Sequence, residues 1–133
     1  MAIIYNKVAR KNPMDRAQVK YYASAKTIKL VDEREVANLI AEETTLNPKE
    51  AEMALHQLQK VVLRLLKSSY SVKIGDWASF YVGLSSEGVT DPKDVNAKLI
   101  KDVHVNCRFG KTFKESLAKS TFMAEEELRG KNI

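Results

Sequence analysis

The chain has 133 residues, 44% of them apolar and 29% charged, which gives room for one domain with a real core and not comfortably for two. No apolar run approaches the ~20 residues that cross a bilayer, and the start, Met1-Ala2-Ile3-Ile4-Tyr5-Asn6-Lys7, lacks the basic head and long apolar stretch of a signal peptide. A lone cysteine, Cys107, excludes an internal disulfide and points to a reducing, cytoplasmic setting; the net charge of +5 and pI of about 9.3 leave a polyanionic partner open.

The charge is unevenly spread. Lys7, Arg10, Lys11, Arg16, Lys20, Lys26 and Lys29 face only Asp15 before position 32. From Asp32 to His56 the balance is acidic, and from Gln57 to Val82 it is basic again. The first stretch reads as strand and turn. Ile4, Asn6 and Val8 alternate with Ile3, Tyr5 and Lys7, Arg10-Lys11-Asn12-Pro13 turns the chain, and Val19-Lys20-Tyr21-Tyr22-Ala23 is a second β-prone run. A hairpin with a long loop and a pair of added edge strands both fit that pattern.

A helix is expected from Asp32, which caps it, with Glu35 at the third helical position and Val36, Leu39 and Ile40 on one apolar face. Thr44 and Thr45 weaken it. A second helix starts with Asn47 as cap and Pro48 at its first position. Its apolar stripe, Ala51, Ala54, Leu55, Leu58, Val61, Val62, Leu65 and Leu66, runs five turns and is broad enough for part of it to be covered by a second subunit.

A strand is expected over about 71–84. Val72, Ile74, Ala78, Phe80, Val82 and Leu84 share one face; Lys73, Trp77, Ser79 and Tyr81 share the other, with a bend or bulge at Gly75-Asp76. Ser85 to Gly88 is turn-like, and Asp91 to Ala97 reads as a short helix or compact loop. A further strand follows over about 99–109, with Val103, Val105, Cys107 and Phe109 on its apolar face. Gly110 precedes a helix over 111–119 with Phe113 and Leu117 as its apolar pair. Phe122 and Met123 are expected to tuck the tail onto the body, and residues 125–133, charged and without a core face, to fray.

This order resembles the bacterial histone-like HU and integration host factor family over roughly residues 31–119. Val72-Lys73-Ile74-Gly75-Asp76-Trp77-Ala78-Ser79-Phe80 is similar to the family's basic-apolar-x-Gly-Phe-Gly-x-Phe segment, with Asp76, Trp77 and Ala78 as departures. Cys107-Arg108-Phe109-Gly110-Lys111-Thr112-Phe113-Lys114 is similar to its closing Phe-x-x-Gly-Lys-x-Leu-Lys. The resemblance implies an α+β fold and an intertwined homodimer with a helical base and a β-sheet saddle. It implies double-stranded DNA as partner, gripped in the family by two β-arms whose tip prolines wedge into the minor groove. The arm region here, 85–100, carries Glu87, Asp91 and Asp94 against Lys93 and Lys98, and it is short. The expectation is therefore short or absent arms, with phosphate contacts moved to the basic extension and the Gly110-Lys111 turn. The extension resembles the prefix of an extended HU-like subgroup. The domain reading is an N-terminal β extension over 1–31, an HU-like domain over 32–120 and a tail over 121–133.

The expected DNA-binding residues are Lys7, Arg10, Lys11, Arg16 and Lys20 in the extension and Lys73, Arg108, Lys111 and Lys114 in the body. The expected function is that of an architectural, nucleoid-associated, largely sequence-nonspecific DNA-binding protein. The alternative is a dimeric scaffold that kept the HU body and lost DNA binding. Tyr21, Tyr22 and Trp77 can stack on bases, but such residues more often pack in a core or a dimer interface. His56 and His104 lack a second ligand-type residue at useful spacing, and Cys107 reads as a small buried hydrophobe. There is no phosphate-loop glycine pattern, no Ser/His/Asp order and no apolar carboxylate pair. The reading is accordingly no enzyme, no cofactor, no metal, no small-molecule substrate and no membrane partner.

Overall fold

The computed structural model describes residues 1–131 and divides the chain into two compact units, one formed by Met1–Val31 with the chain from Ser116 onward, the other by Asp32–Glu115. In the first unit, β1 (Ala2–Asn12) and β2 (Asp15–Ala25) form an antiparallel hairpin. Two residues, Pro13 and Met14, close it, so of the two arrangements the sequence permitted the hairpin holds, with a tight turn in place of a long loop. Pro13 sets φ for a turn position, and neither turn residue needs a positive φ. Asn12 Oδ1 accepts the Met14 N–H at 3.0 Å, and Asp15 Oδ1 accepts the Ala17 N–H at 3.1 Å. The register shifts between Lys11, opposite Val19, and Asn12, opposite Asp15, so residues 16–18 of β2 are left unpaired beside the turn.

The tail departs from the expectation of a frayed end. Thr121–Ala124 is a strand, β6, paired in parallel with β1 from Ala2 to Tyr5, and Glu125–Lys131 is a helix, α4. Three glutamates in the first turn of α4 suit the positive end of its dipole, and Arg129 meets Glu125 one turn away at 3.4 Å. Residues 132 and 133, the end of the expected frayed stretch, lie outside the described residues. The sheet order is β2-β1-β6, and Ile4 on the central strand is its buried residue.

The second unit opens with α1 (Glu33–Glu43) and α2 (Pro48–Lys67), both capped as their sequences require. Asp32 Oδ1 accepts the Glu35 N–H at 2.9 Å, and Asn47 Oδ1 accepts the Glu50 N–H at 2.8 Å. Ala37 and Ala51, each 1% exposed, let the two helix backbones approach closely. The long helix ends in a Schellman motif, with Ser69 N–H donating to Leu66 O and Tyr70 N–H to Leu65 O, and Ser69 holds φ at 65°.

The expected strand over 71–84 is two strands. The bend placed at Gly75-Asp76 is a full reversal, with Gly75 at φ 52°, so that β3 (Val72–Ile74) folds back antiparallel on β4 (Ala78–Ser86). The predicted faces survive the reversal because Val72 lies opposite Phe80 and Ile74 opposite Ala78. Trp77 does not follow them: it sits in the turn and lines the apolar side of the unit, not the polar face. β4 pairs with β5 (Ile100–Phe109) along its whole length, giving the order β3-β4-β5, and α3 (Lys111–Ala118) follows directly.

Candidate nucleic-acid interface

Register divides the β3-β4-β5 sheet into two chemically distinct faces. Lys73 lies opposite Ser79, and Ser79 opposite Arg108; Tyr81 lies opposite Asn106 and Gly83 opposite His104. These side chains share one face, and the alternating apolar residues share the other. On the polar face the Arg108 guanidinium lies 5.2 Å over the Tyr81 ring, and its Nε donates to the Tyr81 hydroxyl at 3.0 Å. That contact fixes the cation while leaving its other donors free to turn outward. Ser71, Lys73, Ser79, Tyr81 and Arg108 line a shallow hollow there. Gly83 makes room for its neighbours, because a Cβ at that position would lie 2.3 Å from His104 Nε2 and 2.8 Å from Asn106 Nδ2.

The Gly110-Lys111 turn is held by contact with the β3–β4 reversal. Gly110 N–H donates to Trp77 O at 2.8 Å, and a Cβ on Gly110 would lie 1.8 Å from Asp76 O. No other residue fits that approach, so the start of α3 and Lys111 take their position from it. Lys111 is paired with Glu115 at 3.9 Å and Lys73 with Asp76 at 3.6 Å, both at exposed sites where such pairs are weak and yield readily to phosphate. Lys114 stands one turn along α3 and carries no ion pair among the described residues.

The expected basic residues of the extension sit on the β1–β2 hairpin, on opposite faces. Arg10 lies opposite Lys20 and Val8 opposite Tyr22, which puts Arg10 and Lys20 on one face, while the register shift beyond Val19 leaves Arg16 outside that alternation. Lys7 and Lys11 lie on the other, where Lys7 reaches Glu126 at 4.0 Å. Tyr21 and Tyr22 are 74% and 48% exposed and are not core residues of the chain.

The arm region is compact. β4 and β5 stay paired out to Ser86 and Ile100, Glu87 N–H donates to Leu99 O at 2.9 Å, and 3-10 turns at Pro92–Asp94 and Ala97–Leu99 fill the remainder. Asp91 and Asn96 cap those two turns, so the aspartate that departs from the family pattern serves local structure. Lys101 meets Glu87 at 3.9 Å.

On the far side of the same unit, α2 and the sheet border an apolar groove of about 450 Å³ lined by Leu58, Val62, Leu63, Ile74, Trp77 and Val105, among others. Trp77, Phe109 and Phe113 form a ring cluster beside it, with centroid separations of 5.9 Å and 5.7 Å to Phe113, and each ring is close to half exposed. Cys107 faces this apolar side, opposite Phe80, but is exposed and not the buried hydrophobe its alternation suggests. His56 lies 4.0 Å from Glu33, a proximity the sequence spacing does not reveal, and among the described residues no three His, Cys, Asp or Glu side chains converge on a common point. No described helix is long and apolar enough to cross a membrane.

The family described as "HU domain fused to wHTH, Ig, or Glycine-rich motif" (HU-HIG) matches residues 1–124, and the chain belongs to it. Among solved structures, a candidate bacterial DNA-binding protein from Bacteroides vulgatus ATCC 8482 shares the fold at a TM-score of 0.61 and 13% identity, covering 92% of this chain. The chain spans 48% of that protein's length. HU from Anabaena, in a cocrystal structure with DNA, aligns at a TM-score of 0.49 and 19% identity over 66% of this chain and 98% of its own. No curated protein matches.

Proposed function

We propose that the chain is a homodimeric, architectural and largely sequence-nonspecific DNA-binding protein. In this reading Lys73, Arg108, Lys111 and Lys114 of the HU-like body, with Lys7, Arg10, Lys11, Arg16 and Lys20 of the extension, neutralise backbone phosphates. The observation that carries it is the two-faced β3-β4-β5 sheet. One face is apolar, and the other presents Lys73 and Arg108 in register, with Arg108 braced on Tyr81. Family membership over residues 1–124 supports the same reading. Each neutralised phosphate releases condensed counterions, so affinity falls with salt at a log–log slope of about −0.9 per contact. Fluorescence-anisotropy titrations on a 30-base-pair duplex at several salt concentrations test it. A steep slope is expected; no binding at low salt removes the proposal.

A second reading, a dimeric scaffold without DNA grip, draws on the arm region, which is acidic and folded into a compact loop instead of a basic ribbon. Charge reversal separates the readings. Loss of binding in K111E/K114E places the contact on the body, and loss only in R10E/K11E places it on the extension. No loss in either leaves the scaffold.

A further inference from the structure

We propose that the free end of the β1–β2 hairpin, residues 9–23, is a ribbon that docks in the major groove of duplex DNA through the face bearing Arg10, Gln18, Lys20 and Tyr22. This rests on the DNA-binding reading above and adds where and how the extension engages. β6 pairs with β1 only from Ala2 to Tyr5, so beyond Tyr5 the sheet narrows to two strands. Every residue from Ala9 to Ala23 is exposed.

Basic side chains of that ribbon converge on one hollow. On one face Arg10 lies opposite Lys20 and Val8 opposite Tyr22, and neither Arg10 nor Lys20 is ion-paired among the described residues. Arg10, Gln18, Lys20 and Tyr22 line one hollow, in which the Arg10 guanidinium sits 5.7 Å over the Tyr22 ring. The reverse face carries Lys11 opposite Val19 and Ala9 opposite Tyr21, and its Lys7 lies beside Glu126. Asp15, the only acid before position 32, turns its carboxylate to the Ala17 N–H. Two exposed cations held in register without an acid partner suit contact with a polyanion.

Dimensions select the groove. Two strands about 4.8 Å apart, with their side chains, fit a major groove about 12 Å wide, which admits a two-stranded ribbon, whereas a minor groove of about 6 Å must first be opened at a deformation cost. The deep, narrow major groove of A-form RNA excludes such a ribbon. From Asn6 to Asn12 the ribbon extends about 20 Å, the rise of about six base pairs, so it fits within one stretch of groove. Tyr22 is a positioning residue, holding the Arg10 guanidinium over its ring and toward the DNA.

The test is anisotropy of the full chain on three 30-base-pair probes at one low salt concentration: a plain duplex, the same duplex with glucosylated 5-hydroxymethylcytosine filling the major groove, and the plain duplex saturated with distamycin in the minor groove. A loss of about tenfold or more on the glucosylated duplex is expected, with little change under distamycin. R10A/K20A should bind the plain duplex more weakly and show no further penalty from glucosylation. Y22L should lose several-fold affinity, and Y22F should restore it. Equal wild-type affinity for plain and glucosylated duplex, or loss under distamycin alone, overturns the ribbon. So does binding that K111E/K114E abolishes and R10A/K20A leaves intact, an outcome that keeps the DNA-binding reading. Absence of wild-type binding to every probe removes both.

Discussion

Two glycines show how far a single missing Cβ can matter. At Gly110 the obstacle to a side chain is backbone, the Asp76 carbonyl, which is itself fixed by the β3–β4 reversal. At Gly83 the obstacle is the tips of His104 and Asn106, which can swing into solvent. Gly110→Ala should therefore cost about 2–3 kcal/mol through forced displacement of the turn, and Gly83→Ala well under about 1 kcal/mol. Urea midpoints at matched protein concentration measure both; equal costs contradict the distinction drawn here. Because Gly110 also fixes the start of α3, its alanine variant should weaken DNA binding through Lys111 and Lys114 beyond the loss of stability. Gly83→Ala should alter binding only through the polar face.

At the scale of elements, the end of α2 carries a device that can be improved. Ser69 occupies the left-handed position of the Schellman motif at φ 65°, where a Cβ is strained and glycine is not. Ser69→Gly should raise stability by about 0.5–1 kcal/mol, and Asn47→Ala at the opposite end should lower it by about 1 kcal/mol through loss of the bond to Glu50 N–H. Both follow from thermal denaturation, and opposite signs at the two ends are the discriminating result. The same helices explain what the sequence disclosed. Asp32, Asn47 and Pro48 act within a few residues of where they stand, so helix starts were legible, as were the alternating faces of β4 and β5. What stayed hidden depends on partners distant along the chain. Thr121–Ala124 is too short to announce itself as a strand and becomes one only by pairing with Ala2–Tyr5. Trp77 has the parity of a polar-face residue, yet the reversal at Gly75 carries it to Phe113. Among the candidate site residues, sequence identified the cations, but only register shows that Arg10 and Lys20 share a face while Lys7 and Lys11 lie behind them.

For the whole molecule, the balance of buried and exposed apolar surface decides what the single chain lacks. Ile4, Ala37, Ala51 and Ala78 are its buried apolar residues among those described, while Leu63 is 54% exposed, Val105 59% and Phe113 46%. Covering one such side chain stabilises by about 1.5–3 kcal/mol, so a surface that leaves many of them in water favours association. In the homodimeric reading the groove along α2 is filled by a second copy, folding and association are coupled, and stability depends on protein concentration. Each tenfold rise in concentration then adds about 1.4 kcal/mol, which for a dimer of this size raises the thermal midpoint by about 2–3 °C. Light scattering should give twice the 15.0 kDa chain mass. Leu63→Glu provides the control. The residue is exposed within one chain, so a charge there costs that chain little, but in a dimer the carboxylate would be buried against apolar side chains without a partner. The variant should scatter as a 15.0 kDa species, lose the concentration dependence of its midpoint and bind DNA with a shallower salt slope, because one chain presents half the cations. A wild-type midpoint that does not move with concentration, together with a monomeric mass, would sink the homodimer.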